Sequence, residues 1–315
     1  MAKIVFMGTP AFAVPSLRAL LAAQTVVGVV TQPDRPAGRG QRLQASPVKA
    51  VAEAAGIPVY QPPSLRKPAT IVPLQVWEPE VIVVVAFGQI LRPHVLNLPP
   101  HGCLNVHASL LPRWRGAAPI QHAILAGDEV SGVSLMQLDE GMDTGPVYVR
   151  APLPLWPDET AASLHDRLAE LGAELLAAHL DDILAGRLAA QPQDDALATY
   201  APMIKKEAGH IDWRRDAVEL DRHVRAMTPW PGAYTTWQGA HLKILAARPL
   251  REGLPAGAPG RVVAAGSEVI ALASAGGLAL DALQLAGKRA MSAHEFVLGR
   301  PDFIGGVLGM AEPRA

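Results

Sequence analysis

The chain of 315 residues contains a single cysteine, Cys103. No intramolecular disulfide can form, a cysteine-based zinc site is excluded, and a reducing compartment is expected. Long apolar runs are missing as well. No stretch approaches the roughly 18 uninterrupted apolar residues of a membrane-spanning helix, so no membrane partner is expected. An excess of one charge is also absent. The 28 Lys and Arg nearly balance 29 Asp and Glu, a net charge of −1, which gives no global sign of a polyanionic partner. Three catalytic signatures are wanting too. The turn "FMGTPAFA" holds only Gly8 of the three glycines of a dinucleotide fingerprint. The ten histidines are scattered and none makes an HExxH spacing, so no metal is expected. The GxSxG elbow of serine hydrolases does not occur. The opening "MAKIVFMGTP" has one lysine, a short apolar run and an early proline, and reads as a first β-strand rather than a signal peptide. A cytoplasmic location follows.

Half of the residues are hydrophobic and 18% are charged, a globular balance, and the length exceeds what one core usually supports. The first half alternates β-rich runs at 3–8, 26–32, 57–61, 81–87 and 102–107 with helical patterns at 11–23, 46–55 and 64–76. This alternation predicts an α/β fold, a Rossmann-like and mostly parallel sheet with helices on both faces. A helix near 117–126, strands at 132–139 and 146–155 and a long helix at 160–185, capped by Thr160, complete a first domain over 1–188. Residues 189–208 lack a sustained period and read as a linker. Beyond them, over 209–315, short strands and turns at close spacing predict a small antiparallel barrel or sandwich. Its hairpin turns at Gln238-Gly239 and its substantial helix covers 215–227. The segment "DRPAGRGQRLQASPVK" at 34–49 carries three Arg and one Lys against one Asp, with two Pro and two Gly. It reads as a mobile basic loop, either a solvated surface or a contact for a polyanion.

Two segments carry chemistry. In "GCLNVHASLLPRWRGAAP" (102–119), Asn105 and His107 lie two apart on a strand and share a face, while Val106 turns into the core. In "GVSLMQLDEGMDTGPV" (132–147), a strand feeds a loop with Asp139, Glu140 and Asp143, and glycines 141 and 145 bracket Asp143. A carboxylate beside a histidine orients the ring and supports its protonated form. Singly, each residue also fits a strand cap or a turn.

Together, "NVHASLLPRWRGAAPIQ" and "GVSLMQLDEGMDTG" resemble the folate-dependent formyltransferases. The resemblance covers nearly the full chain through "GTPAFAVPSL", "TQPDRPAGRGQRLQASPVK", "YAPMIKKEAGHIDW" and "AMTPWPGAYT". It implies catalytic roles for Asn105, His107 and Asp143, and folate contacts for Ser109, Leu110, Leu111 and Pro112. It implies an OB-like C-terminal β-barrel that holds RNA. The implied reaction moves a formyl group from the co-substrate 10-formyltetrahydrofolate to the α-amino group of initiator methionyl-tRNA, by a monomer without metal. Arg39, Arg42, Lys205 and Lys206 are the phosphate candidates, since flexible cations release counterions effectively. Arg113 and Arg115 either guide a substrate or brace the loop. An acceptor that is a nucleotide-linked amino sugar, or a non-catalytic RNA-binding role, remains as an alternative.

Overall fold

A computed structural model describes residues 1–37 and 42–309, with only the backbone described at Ala37 and Arg42. The strands and helices run in the order β1 (Lys3–Gly8), α1 (Val14–Ala23), β2 (Thr25–Val30), β3 (Arg35–Ala37), β4 (Arg42–Gln44), α2 (Pro47–Ala54), β5 (Val59–Tyr60), α3 (Val72–Trp77), β6 (Val81–Val85), α4 (Pro93–Leu96), β7 (Cys103–His107), α5 (Pro119–Ala126), β8 (Val130–Gln137), β9 (Val147–Pro154) and α6 (Ala161–Leu184). Then come α7 (Ala217–Met227), β10 (Ala233–Trp237), β11 (Ala240–Leu250), β12 (Val262–Ala265), β13 (Glu268–Leu272), β14 (Gly277–Leu285), β15 (Met291–Ser292) and α8 (Ala293–Gly299).

The first sheet has the order β5-β2-β1-β6-β7-β8-β9. Its first five strands are parallel, and β8 and β9 add an antiparallel edge. β1 and β6 are buried apart from Lys3, which fits the unbroken Val/Ile run of β6 and the apolar Ile4–Met7 run of β1. One face packs Val5, Met7, Ile82, Val84 and Cys103 against Leu74 of α3 and Val95 and Leu96 of α4. α6 covers the other face: a Cβ on its Gly172 would meet Val106 at 2.7 Å. Thr160 caps this helix by accepting from Ser163 N at 3.1 Å. The strand order reverses between β1 and β6, so the loops after β1, β6 and β7 gather around the point where doubly wound sheets hold ligands.

The later strands form an antiparallel sheet, β10-β11-β14-β13-β12, with β15 paired to β14. Its first hairpin turns at Gln238 and Gly239, whose φ angles of 47° and 73° give the left-handed pair that matches strand twist. Contacts divide the chain into two units. One comprises Met1–Pro119, Glu129–Leu155 and His165–Pro202, the other Ile120–Asp128, Trp156–Leu164 and Met203–Ala315. The last boundary falls after Pro202, and the second unit also takes Ile120–Asp128 and Trp156–Leu164 from the first 188 residues.

The described parts of the segment 34–49 take regular backbone structure. β3 and β4 pair as a hairpin, and Ser46 caps α2 with Pro47 in its first turn. Lys49 is no free cation: it bonds Asp34 at 2.6 Å and Gln61 at 2.9 Å. That bond raises the Lys49 pKa and lowers that of Asp34. Among the described residues, no helix is long and apolar enough to cross a membrane.

Candidate active site

β7 ends beside the reversal in strand order. Its register sets Asn105 between Val84 of β6 and Met136 of β8, and His107 opposite Ser134. Both side chains are nearly buried, Asn105 9% and His107 6% exposed. With a rise of about 3.3 Å per residue, the two stand roughly 7 Å apart along one face. Cys103 precedes them on that face, and burial pushes its thiol up to about 12, which makes it a packing residue. No hydrogen bond engages the Asn105 carboxamide among the described residues, so its two N–H donors are uncommitted.

The chain then turns into a loop fastened at every step. The Ser109 hydroxyl donates to the Arg113 carbonyl at 2.6 Å. Ser134 donates to the Ser109 carbonyl and accepts from Leu111 N. Arg150 donates to the Leu111 carbonyl at 2.6 Å, and the Leu111–Pro112 bond is cis. Leu111 is 1% exposed and packs on Met136 and Val147, so it anchors the loop instead of offering open apolar surface. Leu110 and Pro112 stay half-buried.

This fastening delivers two groups to His107. The Trp114 carbonyl lies 3.0 Å from Nε2. A carbonyl can only accept, so Nε2 carries a proton and Nδ1 is left facing Asp143. Nδ1 and Asp143 Oδ2 are 3.7 Å apart, beyond a hydrogen bond but close for a charge pair. Asp143 Oδ2 accepts instead from Gly116 N at 2.8 Å. The ring tautomer is thus held by a backbone carbonyl, and the carboxylate expected to fix it supplies charge at the other nitrogen. Gly116 has φ 117°, and a Cβ there would meet the Ala201 carbonyl at 2.8 Å, so only glycine can present this N–H.

The segment 191–201 holds this loop from outside. Arg115 N donates to Thr199 O and Arg115 O accepts from Ala201 N. Trp114 N donates to Thr199 Oγ1 at 2.9 Å, and Val147 and Gln191 exchange backbone bonds. Arg115 is 2% exposed and pairs with Asp195 at 2.7 Å, which makes it a brace. Arg113 is exposed and lies over the Trp114 ring at 4.3 Å. None of these partners has a sequence signature, because backbone pairing and single side-chain bonds leave no periodic trace.

Lys205 and Lys206 are exposed at the start of a short 3-10 turn, Lys206–Gly209, in the second unit. Arg39 lies outside the described residues, and Arg42 opens β4. A cavity of about 790 Å³ opens at the opposite end of β7 and β8, lined in part by Pro93, Leu96, His101, Gln137 and Tyr148. It excludes Asn105, His107 and Asp143, although Asp139 and Glu140 reach it from the same loop as Asp143. Among the described residues, no three His, Cys, Asp or Glu side chains group to hold a metal.

A family profile described as "Formyl transferase" matches residues 2–180, and one described as "Formyl transferase, C-terminal domain" matches residues 203–301. The chain belongs to the formyl transferase family. This formyltransferase is 48% identical over 308 residues to a Trichlorobacter lovleyi protein named methionyl-tRNA formyltransferase, covering 97% of this chain and 96% of that one. It is 49% identical to one of the same name from Citrifermentans bemidjiense, covering 98% and 96%. Among solved structures it resembles WlaRD, a sugar 3N-formyl transferase in the presence of dTDP and 5-N-formyl-THF. The TM-score is 0.68 at 18% identity, with 92% of this chain and 99% of that one covered. It also resembles HypX from Aquifex aeolicus in complex with tetrahydrofolic acid, TM-score 0.61 at 20% identity, covering 97% of this chain and 48% of that one. At such identities the structures establish the shared fold.

Proposed function

We propose that this formyltransferase moves the formyl group of 10-formyltetrahydrofolate to the α-amino group of methionine on initiator methionyl-tRNA, acting in the cytoplasm as a monomer. The observation that carries the chemistry is the uncommitted amide of Asn105 on one strand face with a histidine whose free nitrogen faces Asp143. The acceptor amine attacks the formyl carbon, and negative charge develops on the formyl oxygen. Asn105 donates an N–H to that oxygen, a contribution worth about 10² to 10³ in rate. The tetrahedral intermediate collapses as N10 of the folate leaves, and one proton passes from the attacking amine to N10. His107 and Asp143 manage this transfer, the ring steadied at Nε2 by Trp114 and facing charge at Nδ1. Such groups contribute roughly 10² to 10⁴.

Half-buried Leu110 and Pro112, with Met142 beside Asp143 at 59% exposure, supply apolar surface suited to a flat folate ring. Ser109 acts by holding the loop shape through Arg113. Residues 1–188 form the catalytic domain and 209–315 an OB-like domain for tRNA, joined by 189–208. Arg39, Arg42, Lys205 and Lys206 contact phosphates.

The tRNA acceptor is favoured over an amino sugar because the relatives near 48% identity, matched over almost their whole length, are named for methionyl-tRNA. The sugar enzymes share only the fold. The deciding assay offers 10-formyltetrahydrofolate with either charged initiator tRNA or a nucleotide-linked amino sugar. Formylation of the tRNA alone is expected, and formylation of the sugar alone would overturn the acceptor.

A further inference from the structure

Gln193 occupies a singular place in the segment outside the catalytic loop. Its Nε2 donates to two carbonyls, Asp143 O at 2.8 Å and Gly145 O at 2.7 Å. Its Oε1 accepts from Arg115 Nε at 3.0 Å. Only one orientation of the amide satisfies all three contacts, since two carbonyls demand N–H donors and a guanidinium demands an acceptor. Asp143 has φ 55°, a left-handed conformation that aspartate adopts more readily than most side chains.

The residues flanking Arg115 explain why this amide matters. Trp114, before it, gives the carbonyl that takes the His107 proton. Gly116, after it, gives the N–H that takes the Asp143 carboxylate. One side chain therefore ties the backbone that carries Asp143 to the arginine between the two groups that hold His107 and Asp143. We infer that Gln193 is a positioning residue for formyl transfer, setting the Asp143 carboxylate against His107 Nδ1. It touches no reacting atom and acts through Asp143. The inference rests on the proposed role of Asp143 and adds a residue for which neither the motif pattern nor the family match offers a sign.

The test separates the two contacts of the amide. Gln193→Glu keeps an acceptor for Arg115 and removes the donors to both carbonyls. Gln193→Met removes the donors and the acceptor for Arg115 together without adding charge, and serves beside Asp195→Asn if the charged variant folds poorly. Either should lower kcat by about tenfold or more, because small displacements of catalytic groups cost that much, while KM for the formyl donor stays within about twofold. Asp195→Asn, which weakens the Arg115 pair and spares the amide, should retain most of kcat. The decisive measurement is the double variant with Asp143→Asn. If Gln193 acts through Asp143, its substitution changes kcat less than about twofold in that background, whereas independent effects multiply. Multiplying effects, or a parental kcat in both Gln193 variants, would overturn the inference. A parental kcat in Asp143→Asn alone would instead overturn the active-site reading beneath it.

Discussion

Asn105 and His107 show how a side chain can be nearly buried and still chemically available. Strand register buries both, yet only His107 has its ring bound, by Trp114, and the Asn105 amide keeps its donors. Asn105 is not among the described side chains whose polar atoms are sealed from solvent without a partner, so its amide stays open to an acceptor that a substrate brings. Asn105→Ala and His107→Ala should therefore each reduce turnover by at least about tenfold. Thermal unfolding should change little in Asn105→Ala and fall modestly in His107→Ala, which removes a buried ring and its bond to the Trp114 carbonyl. Asp143→Asn keeps the acceptor for Gly116 N but removes the charge facing Nδ1, and should be comparably damaging. Steady-state kinetics beside thermal melts on the three variants check this. Parental turnover in all of them would remove the site from these residues.

At the scale of elements, the parallel strands and their helices were legible because burial on two faces writes unbroken Val/Ile runs, as in 81–85, and helices write a longer period. The Asn-x-His pair was legible because strand alternation puts both on one face. The bracing of the catalytic loop was not: Thr199 and Gln193 act through a few bonds to distant backbone and to Arg115 that leave no sequence pattern, and Arg115 read equally well as a substrate guide. The helix start at Ser46-Pro47 was legible as the opening of the periodic stretch 46–55, whereas the β3–β4 pairing and the commitment of Lys49 to Asp34 and Gln61 were not. In the second unit, α7 carries a titratable group that composition could not reveal. His223 is 8% exposed, and its Nε2 has no partner among the described residues. Burial lowers its pKa, reinforced by Arg215 and His210 and opposed by a backbone bond with Gly209. A depressed pKa means the unfolded chain takes the proton first, so stability is full above about 6.5 and falls as pH drops toward the folded value. Melting temperatures from pH 7.5 to 5.5 should decline more steeply for the parent than for His223→Gln. Equal slopes would show that another group governs the acid limb.

At the scale of the whole molecule, a net charge of −1 must be reconciled with a polyanionic acceptor. Local clusters answer this. The basic residues proposed to meet tRNA fall in both units, Arg39 and Arg42 in the first and Lys205 and Lys206 in the second. None of these four is drawn from the catalytic loop, so affinity for tRNA and the chemistry of formyl transfer should be separable by mutation. Each lysine or arginine that neutralises a phosphate releases a counterion, and the slope of log affinity against log salt carries about 0.7 to 0.9 per contact. Replacing Arg39, Arg42, Lys205 or Lys206 by alanine should therefore flatten that slope by roughly one such step each, with KM for 10-formyltetrahydrofolate unchanged. The loss in tRNA affinity should be large at low salt and shrink as salt rises, because the removed interaction is the one that salt already screens. Lys49 provides the internal control: its ammonium is committed to Asp34 and Gln61, so Lys49→Ala should leave the slope alone while loosening the hairpin base. Binding of charged initiator tRNA at several salt concentrations reads all five variants on one scale. A parental slope in the four alanine variants at Arg39, Arg42, Lys205 and Lys206 would move the tRNA contact elsewhere on the molecule, and a flattened slope in Lys49→Ala would mean that its ion pair opens when RNA arrives.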